Sequence, residues 1–448
     1  MNKEWILKEE KIPKALFKLS LPAIVGILIS AIYNVVDTLF VGMLNDTRAI
    51  GAIAISYPLF MLIAALGQMI GVGGGSMISR FLGAQDKKSA DITFNISITL
   101  GIVLSIVATI FGVVYLEWIL ECLGATPTIL PYAKTYTLII ILGTFFTIIN
   151  MILNNAIRAE GNSKYSMYAI GLGAVLNIVL DPIFIFTLNL GIKGAAIATV
   201  IAQLVSTLFL FKYFFSDSSL LKLSFKNFSF KTSIFYSILI VGLPSFSRQV
   251  LVSVSMAVYN NALELYGDTA IAAGGIAMRV VSIVMFTLFG FAQGFQPLAA
   301  YSYGQRNYSR IIEAFKISLI CVTVYSITLN IIYMVFSKDI IKIFSSDHEV
   351  IKLGQLNLYS LNVFFFTFGI TTIVTTLYQS LGRGKESFIL ASCRNGFFFI
   401  PLIYILGYKF GLNGIIATNA VADLLAGLFT LYYVIKIIKE MKRIPIST

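Results

Sequence analysis

Leu21-Pro22, a long apolar run, Asp46-Thr47, a second apolar run and Leu82-Gly83-Ala84-Gln85-Asp86 make up the stretch that decides the fold, because the chain repeats it. Some 220 residues later come Leu243-Pro244, an apolar run, Asp268-Thr269 and Tyr303-Gly304-Gln305-Arg306-Asn307. The second part of each half is doubled as well. Gly161-Asn162-Ser163-Lys164 answers to Gly382-Arg383-Gly384-Lys385, and the stretch Gly191 to Thr199 answers to Gly411 to Thr418. The repeats keep one polarity and lie half a chain apart. In a membrane protein such duplication implies two bundles about a pseudo-two-fold axis, with a transport path between them.

Composition sets the medium. Of 448 residues, 58% are hydrophobic and 12% charged, whereas soluble domains carry about 25% charged residues. Apolar runs of roughly 20 residues recur, enough to cross a hydrocarbon core of about 30 Å. Twelve spans are expected, at about 17–43, 49–79, 90–116, 131–157, 165–187, 193–215, 233–262, 269–300, 309–337, 353–380, 386–408 and 412–436. The fold class is thus an all-α polytopic membrane protein with two pseudo-symmetric six-helix lobes, 1–215 and 233–448. Residues 216–232 are read as a cytoplasmic linker. The charged N-terminal stretch leads directly into a full span, so no cleavable signal peptide is expected.

The net charge of +12 does not point to nucleic acid, because the cations sit in short loops between spans. Most fall at the two termini and after even-numbered spans. Lys and Arg are enriched on the cytoplasmic side, so both termini are expected inside. Cys122, Cys321 and Cys393 have no zinc or disulfide spacing. The single His348 has no partner that would make a catalytic or zinc-protease motif, so an enzyme is not expected.

Charges inside spans cost several kcal/mol on insertion scales and need a reason. The N-terminal half holds two, Asp37 and Asp181. At about 1.5 Å per residue, both sit roughly 9 Å below the outer surface. Asn177 lies one turn before Asp181 on the same helix face, and Thr199 reaches the same depth from span 6. Two carboxylates, an amide and a hydroxyl form an oxygen set suited to a hard cation such as Na+. Two close carboxylates in a low dielectric can instead share a proton, because desolvation and like charge oppose double ionisation. The plainer alternative is a polar knot that locks spans 1, 5 and 6 together.

The C-terminal half reverses the sign. Arg248, Arg279 and Arg394 lie within spans, and Asp423 is the clear acid among them. By depth, Arg279 and Asp423 are expected to meet near mid-membrane as an ion pair or as substrate ligands. Arg248 and Arg394 show no acidic partner in the sequence. Tyr33, Asn34, Gln68, Asn150, Asn154, Gln249 and Gln293 add amides and an aromatic that suit a large, partly apolar ligand. Interhelical hydrogen bonding is the simpler role for each.

At these residues the chain resembles the multidrug and toxic compound extrusion family. The resemblance covers essentially the whole chain. It rests on Leu21-Pro22, Tyr33-Asn34-Val35-Val36-Asp37-Thr38, Arg158-Ala159-Glu160-Gly161, Asn177-Ile178-Val179-Leu180-Asp181-Pro182 and Gly191 to Thr199. The pattern is most similar to the DinF-type branch and its MepA-like exporters. That resemblance implies a V of two six-helix lobes and export of amphipathic, mostly cationic compounds in exchange for H+ or Na+. It also implies an N-lobe cation site at Asp37, Asp181, Asn177 and Thr199. No cofactor is implied beyond the coupling ion. The expected partners are small organic cations and membrane lipid, without nucleic acid. The chain is expected as a monomer in a bacterial cytoplasmic membrane. The NorM-type branch carries acids in spans 7 and 10 that this chain lacks, so a C-lobe cation site is not expected. A flippase for a lipid-linked anionic precursor, a related fold family, is the competing function, favoured by the C-lobe arginines.

Overall fold

A computed structural model describes residues 3–44, 46–223 and 231–443. Of the expected linker, 224–230 lie outside the described residues. Among the described residues the regular structure is helical throughout. A short helix, Lys3–Lys8, leads into span 1, Ile12–Gly42. Spans 2 and 3 are Thr47–Gly83 and Lys87–Val114. Span 4 is a bent pair, Leu130–Leu142 and Thr144–Ala159, turning by 46°. Span 5, Ser163–Pro182, continues as the π-helix Ile183–Thr187, and span 6 is Gly191–Phe214. The second lobe repeats this order. Spans 7, 8 and 9 are Thr232–Glu264, Asp268–Gly304 and Tyr308–Val335. Span 10 is again a bent pair, His348–Val363 and Phe365–Ser380, turning by 43°. Span 11 starts as Gly384–Ser392 and passes through the π-helix Cys393–Phe399. The helix Ile400–Arg443 then breaks at Gly411, where φ is 59°, which divides spans 11 and 12.

The connections are doubled too. Gln85 and Arg306 both take a left-handed conformation, at φ 60° and 59°, in the turns after spans 2 and 8. The next residue caps the following helix in each lobe: Asp86 accepts from the Ser89 amide at 3.0 Å and Asn307 from the Arg310 amide at 3.0 Å. Side-chain oxygens at this position satisfy amides that the first helical turn leaves unpaired. Gly191 and Gly411 match as well, at φ 54° and 59°, a region costly for residues with a Cβ.

The lobes meet through spans 1 and 2 on one side and spans 7 and 8 on the other. Small residues make the seam. Gly290 faces the backbone of Ile24, Gly294 that of Ser20, Gly73 that of Ile238 and Gly242 that of Met69. Lipid-embedded helices gain from such close backbone approach, since apolar burial alone does not favour helix over lipid. Ser20 Oγ donates to the Phe291 carbonyl at 3.2 Å, and Ser76 Oγ to that of Gln379 at 2.9 Å. Arg310 of span 9 donates to the Leu7 carbonyl at 3.2 Å and the Glu10 carbonyl at 2.9 Å, pinning the N-terminal segment to the second lobe.

One continuous apolar core runs through both lobes at this end, joining Leu16, Leu19 and Ile78 to Ile238, Leu298 and Tyr301. At the opposite end each lobe has a core of its own. Val41, Ala49, Ala52, Ile185 and Ile192 form one; Tyr259, Leu263, Ala270, Ile403 and Ile415 form the other. The lobes are therefore fused at the end bearing the N-terminus and separate at the other, which is a V.

Candidate functional site

Asp37 and Asp181 are buried on facing spans, and their carboxyl groups interact side chain to side chain. Asn177 Nδ2 donates to Asp181 Oδ1 at 3.1 Å and to Thr199 Oγ1 at 3.4 Å. Spans 1, 5 and 6 thus bring together the four residues grouped from the sequence. Three buried oxygens there have no hydrogen-bond partner among the described residues: Asp37 Oδ1, Asp181 Oδ2 and Asn177 Oδ1. Orphaned buried acceptors are costly. An acceptor-only cluster is relieved by a bound cation or by protonation of a carboxyl. No arginine or lysine pairs with either acid among the described residues.

Tyr33 and Tyr136 stand beside the two acids. Tyr136 did not stand out in the sequence. It sits in the first half of the bent span 4, Leu130–Leu142, and lines the space that reaches Asp37. A small cavity of about 80 Å³ reaches Asp37 past Tyr33, Asn34, Thr38, Tyr57 and Tyr136. Asn34 donates to the Ser30 carbonyl at 2.6 Å.

A larger cavity of about 320 Å³ lies between the lobes and shares Tyr33, Phe60 and Thr199 with the small one. It brings together Gln68, Asn150, Asn154, Gln249 and Gln293, as grouped from the sequence, and adds Arg158, Gln203, Arg248 and Phe289. An adjoining space of about 220 Å³ shares Gln68, Arg248, Gln249 and Gln293. Several of these amides are already engaged. Asn155 donates to Gln68 Oε1 at 2.9 Å, Asn150 to Ser206 at 2.9 Å, and Asn154 to Asn150 Oδ1 at 2.7 Å. Gln249 makes only a 3.3 Å contact with the Met61 sulfur. Arg158 Nη1 donates to Ser166, which donates to Asn154 Oδ1 at 2.7 Å. Arg158 could have been flagged from its place inside the Arg-Ala-Glu-Gly motif at the end of span 4.

The expected meeting of Arg279 and Asp423 does not occur. Asp423 is 1% exposed and takes Arg394 on both oxygens, with Nε at 2.5 Å and Nη2 at 3.2 Å. Arg394, expected to lack an acid, is therefore the paired cation. Arg279 is exposed on span 8. Neither Arg279 nor Asp423 lines the cavities described. The cause is geometric. Depth along a helix fixes level but not the direction a side chain faces, and the π-helix Cys393–Phe399 further turns Arg394 relative to a regular helix.

The family model described as MatE matches the chain twice, over residues 22–183 and 244–405. The multidrug export protein MepA of Staphylococcus haemolyticus is 31% identical over 427 residues, covering 95% of this chain and 94% of that protein. A solved MATE structure in complex with MaL6 aligns with a TM-score of 0.93 at 27% identity, covering 99% of this chain and 100% of that one. An outward-facing multidrug resistance MATE transporter of the MOP superfamily aligns at 0.92 and 27% identity, with 99% of each chain covered. A doubled match, one in each lobe, on a fold shared almost end to end identifies this multi-pass membrane protein as a transporter of the MATE family.

Proposed function

We propose that the protein is a secondary active antiporter that exports amphipathic, mostly cationic compounds by alternating access, in exchange for H+ or Na+. The observation that carries this is the pair Asp37–Asp181, buried without a cation partner among the described residues and with orphaned oxygens, one shared wall away from the interlobe cavity. The export of drugs is carried over from the name of the staphylococcal relative. With both termini in the cytoplasm, as the distribution of Lys and Arg supports, the fused end lies inside and the parted end outside. Loading the acids with a coupling ion changes the charge and shape of the wall that the two cavities share. A substrate on one side of that wall and an ion on the other then affect each other's affinity equally, as linkage requires.

The test is dye efflux from proteoliposomes with an imposed Na+ or H+ gradient, run beside a lipid-scrambling assay. Gradient-driven dye movement that is lost in Asp37→Asn is the expected result. Scrambling without dye movement would replace antiport by the second reading, a flippase for a lipid-linked anionic precursor. One observation favours that alternative, the arginine pair Arg158 and Arg248 in the cavity wall.

A further inference from the structure

The charged side chains lining the two interlobe spaces are Arg158 and Arg248; among the described residues no Asp or Glu lines either of them. Neither arginine makes an ion pair among the described residues. This contrasts with Arg394, which Asp423 neutralises outside the cavity. An unpaired cation held within a membrane is costly and calls for a partner that arrives from elsewhere. Arg248 is also held in place. Its guanidinium lies 4.6 Å over the Phe289 ring, and Phe289 in turn meets Phe368 edge-on at 5.7 Å. Stacking occupies the face of the guanidinium and leaves its in-plane N–H fork free, the geometry that binds carboxylate or phosphate with two parallel hydrogen bonds. Gln249 and Gln293 flank it with amides that can complete the shell of an anion.

Resting on the reading of this cavity as the substrate site, we infer that, within the cationic amphiphiles proposed above, those that also carry an anionic group, amphiphilic zwitterions, are preferred. Their anionic group, a carboxylate or phosphate, is seated on the Arg248 fork with Arg158 adding field, and their cationic end is directed toward the acid side at Tyr33. A compound with a cation alone leaves Arg248 unanswered and binds less well. The anionic group has two candidate sources, a soluble amphiphile or a lipid headgroup.

The experiment uses the purified full-length chain in detergent and two forms of one xanthene dye, rhodamine 110 with a free carboxylate and rhodamine 123, its methyl ester. Fluorescence polarisation is expected to give at least ~10-fold tighter binding of the acid, since charge-assisted bidentate bonds are about twice as strong as neutral ones. Arg248→Gln should remove that preference by weakening the acid alone, and Arg248→Lys should retain part of it. Equal binding of the two dyes to the unaltered protein overturns the inference without any variant having to fold. So does an Arg248→Gln loss that is equal for acid and ester. Displacement of the acid dye by phosphatidylglycerol but not phosphatidylcholine supports the anion seat and assigns it to a headgroup. Retained acid preference without displacement supports it and assigns it to soluble compounds. If the acid preference stands while no gradient drives either dye in proteoliposomes, antiport fails and the anion seat survives.

Discussion

Asp37 and Tyr259 each lie 15 residues beyond the proline of their Leu-Pro pair, Pro22 and Pro244. They occupy matching places in spans 1 and 7, yet their surroundings differ. Asp37 faces a second acid and keeps an orphaned oxygen. Tyr259 is packed among Leu263, Ala270 and Phe399 and donates to Asn357 Oδ1. The second lobe does hold a buried acid, but Asp423 is neutralised by Arg394, whose Nη1 is further tied to Asn395 at 2.9 Å. The same framework thus holds two acids without a cation partner in one lobe and an acid neutralised by an arginine in the other. Duplication fixes the scaffold; the proposed ion exchange then rests on the copy whose acids are left without a cation partner.

The sharpest way to break this contrast is at the acids. Asp37→Asn keeps volume and hydrogen bonding but cannot titrate or neutralise a cation, so gradient-driven export should fall to background while membrane insertion is unchanged. Asp181→Asn should do the same, and the double variant should be no worse than either, because groups that act as a unit are non-additive. Independent multiplication of the two losses in the efflux assay would dissolve the shared site.

Next in size is the neutralised pair. Arg394→Met should destabilise the protein by about 3–5 kcal/mol, as expected when one partner of a buried pair is removed. Adding Asp423→Leu should recover much of that loss. Thermal unfolding of the two singles and the double in detergent measures the coupling, and strict additivity would contradict the observed contact. At the seam, Gly242→Ala drives a methyl into the Met69 backbone. Overpacking of this kind costs about 1–3 kcal/mol. Paired spin labels across the fused end should report a wider separation; an unchanged distance would mean that the glycine is not what sets the approach.

Smaller still is Tyr259→Phe, which removes one buried hydrogen bond and should cost about 1 kcal/mol with export intact. Loss of export in that variant would show that the second lobe takes part in ion exchange after all. Arg279→Gln should change stability by less than about 0.5 kcal/mol, the usual range for an exposed site. A larger drop would reinstate Arg279 as a buried charge.

The span pattern, the duplication and the N-lobe acid cluster were legible because each depends on linear spacing: apolar run length, a repeat half a chain apart, a four-residue helical step from Asn177 to Asp181. What failed depends on rotation. Arg279 and Asp423 lie at similar expected depth, but Arg279 is exposed while Asp423 is buried, and Arg394 reaches Asp423 from within a π-helical turn that a regular count does not contain. Tyr136 is legible only in the structure, since a tyrosine in an apolar span carries no linear signal that it stands beside an acid on another span. Span ends also ran long. Thr47–Gly83 has 37 residues, about 55 Å of helix, so it extends past a hydrocarbon core of about 30 Å, whereas hydropathy marks only the apolar middle.

The seam is specified by side chains that are missing. Gly73, Gly242, Gly290 and Gly294 bring backbone against backbone only while the fused end stays shut. Under alternating access, atoms added there raise the energy of one arrangement and leave the other untouched. A shift of about 1.4 kcal/mol changes the ratio of the two resting populations tenfold. Single methyl groups at these four positions would then act as a graded series for setting how long the transporter dwells on each side of the membrane, with both binding sites chemically intact.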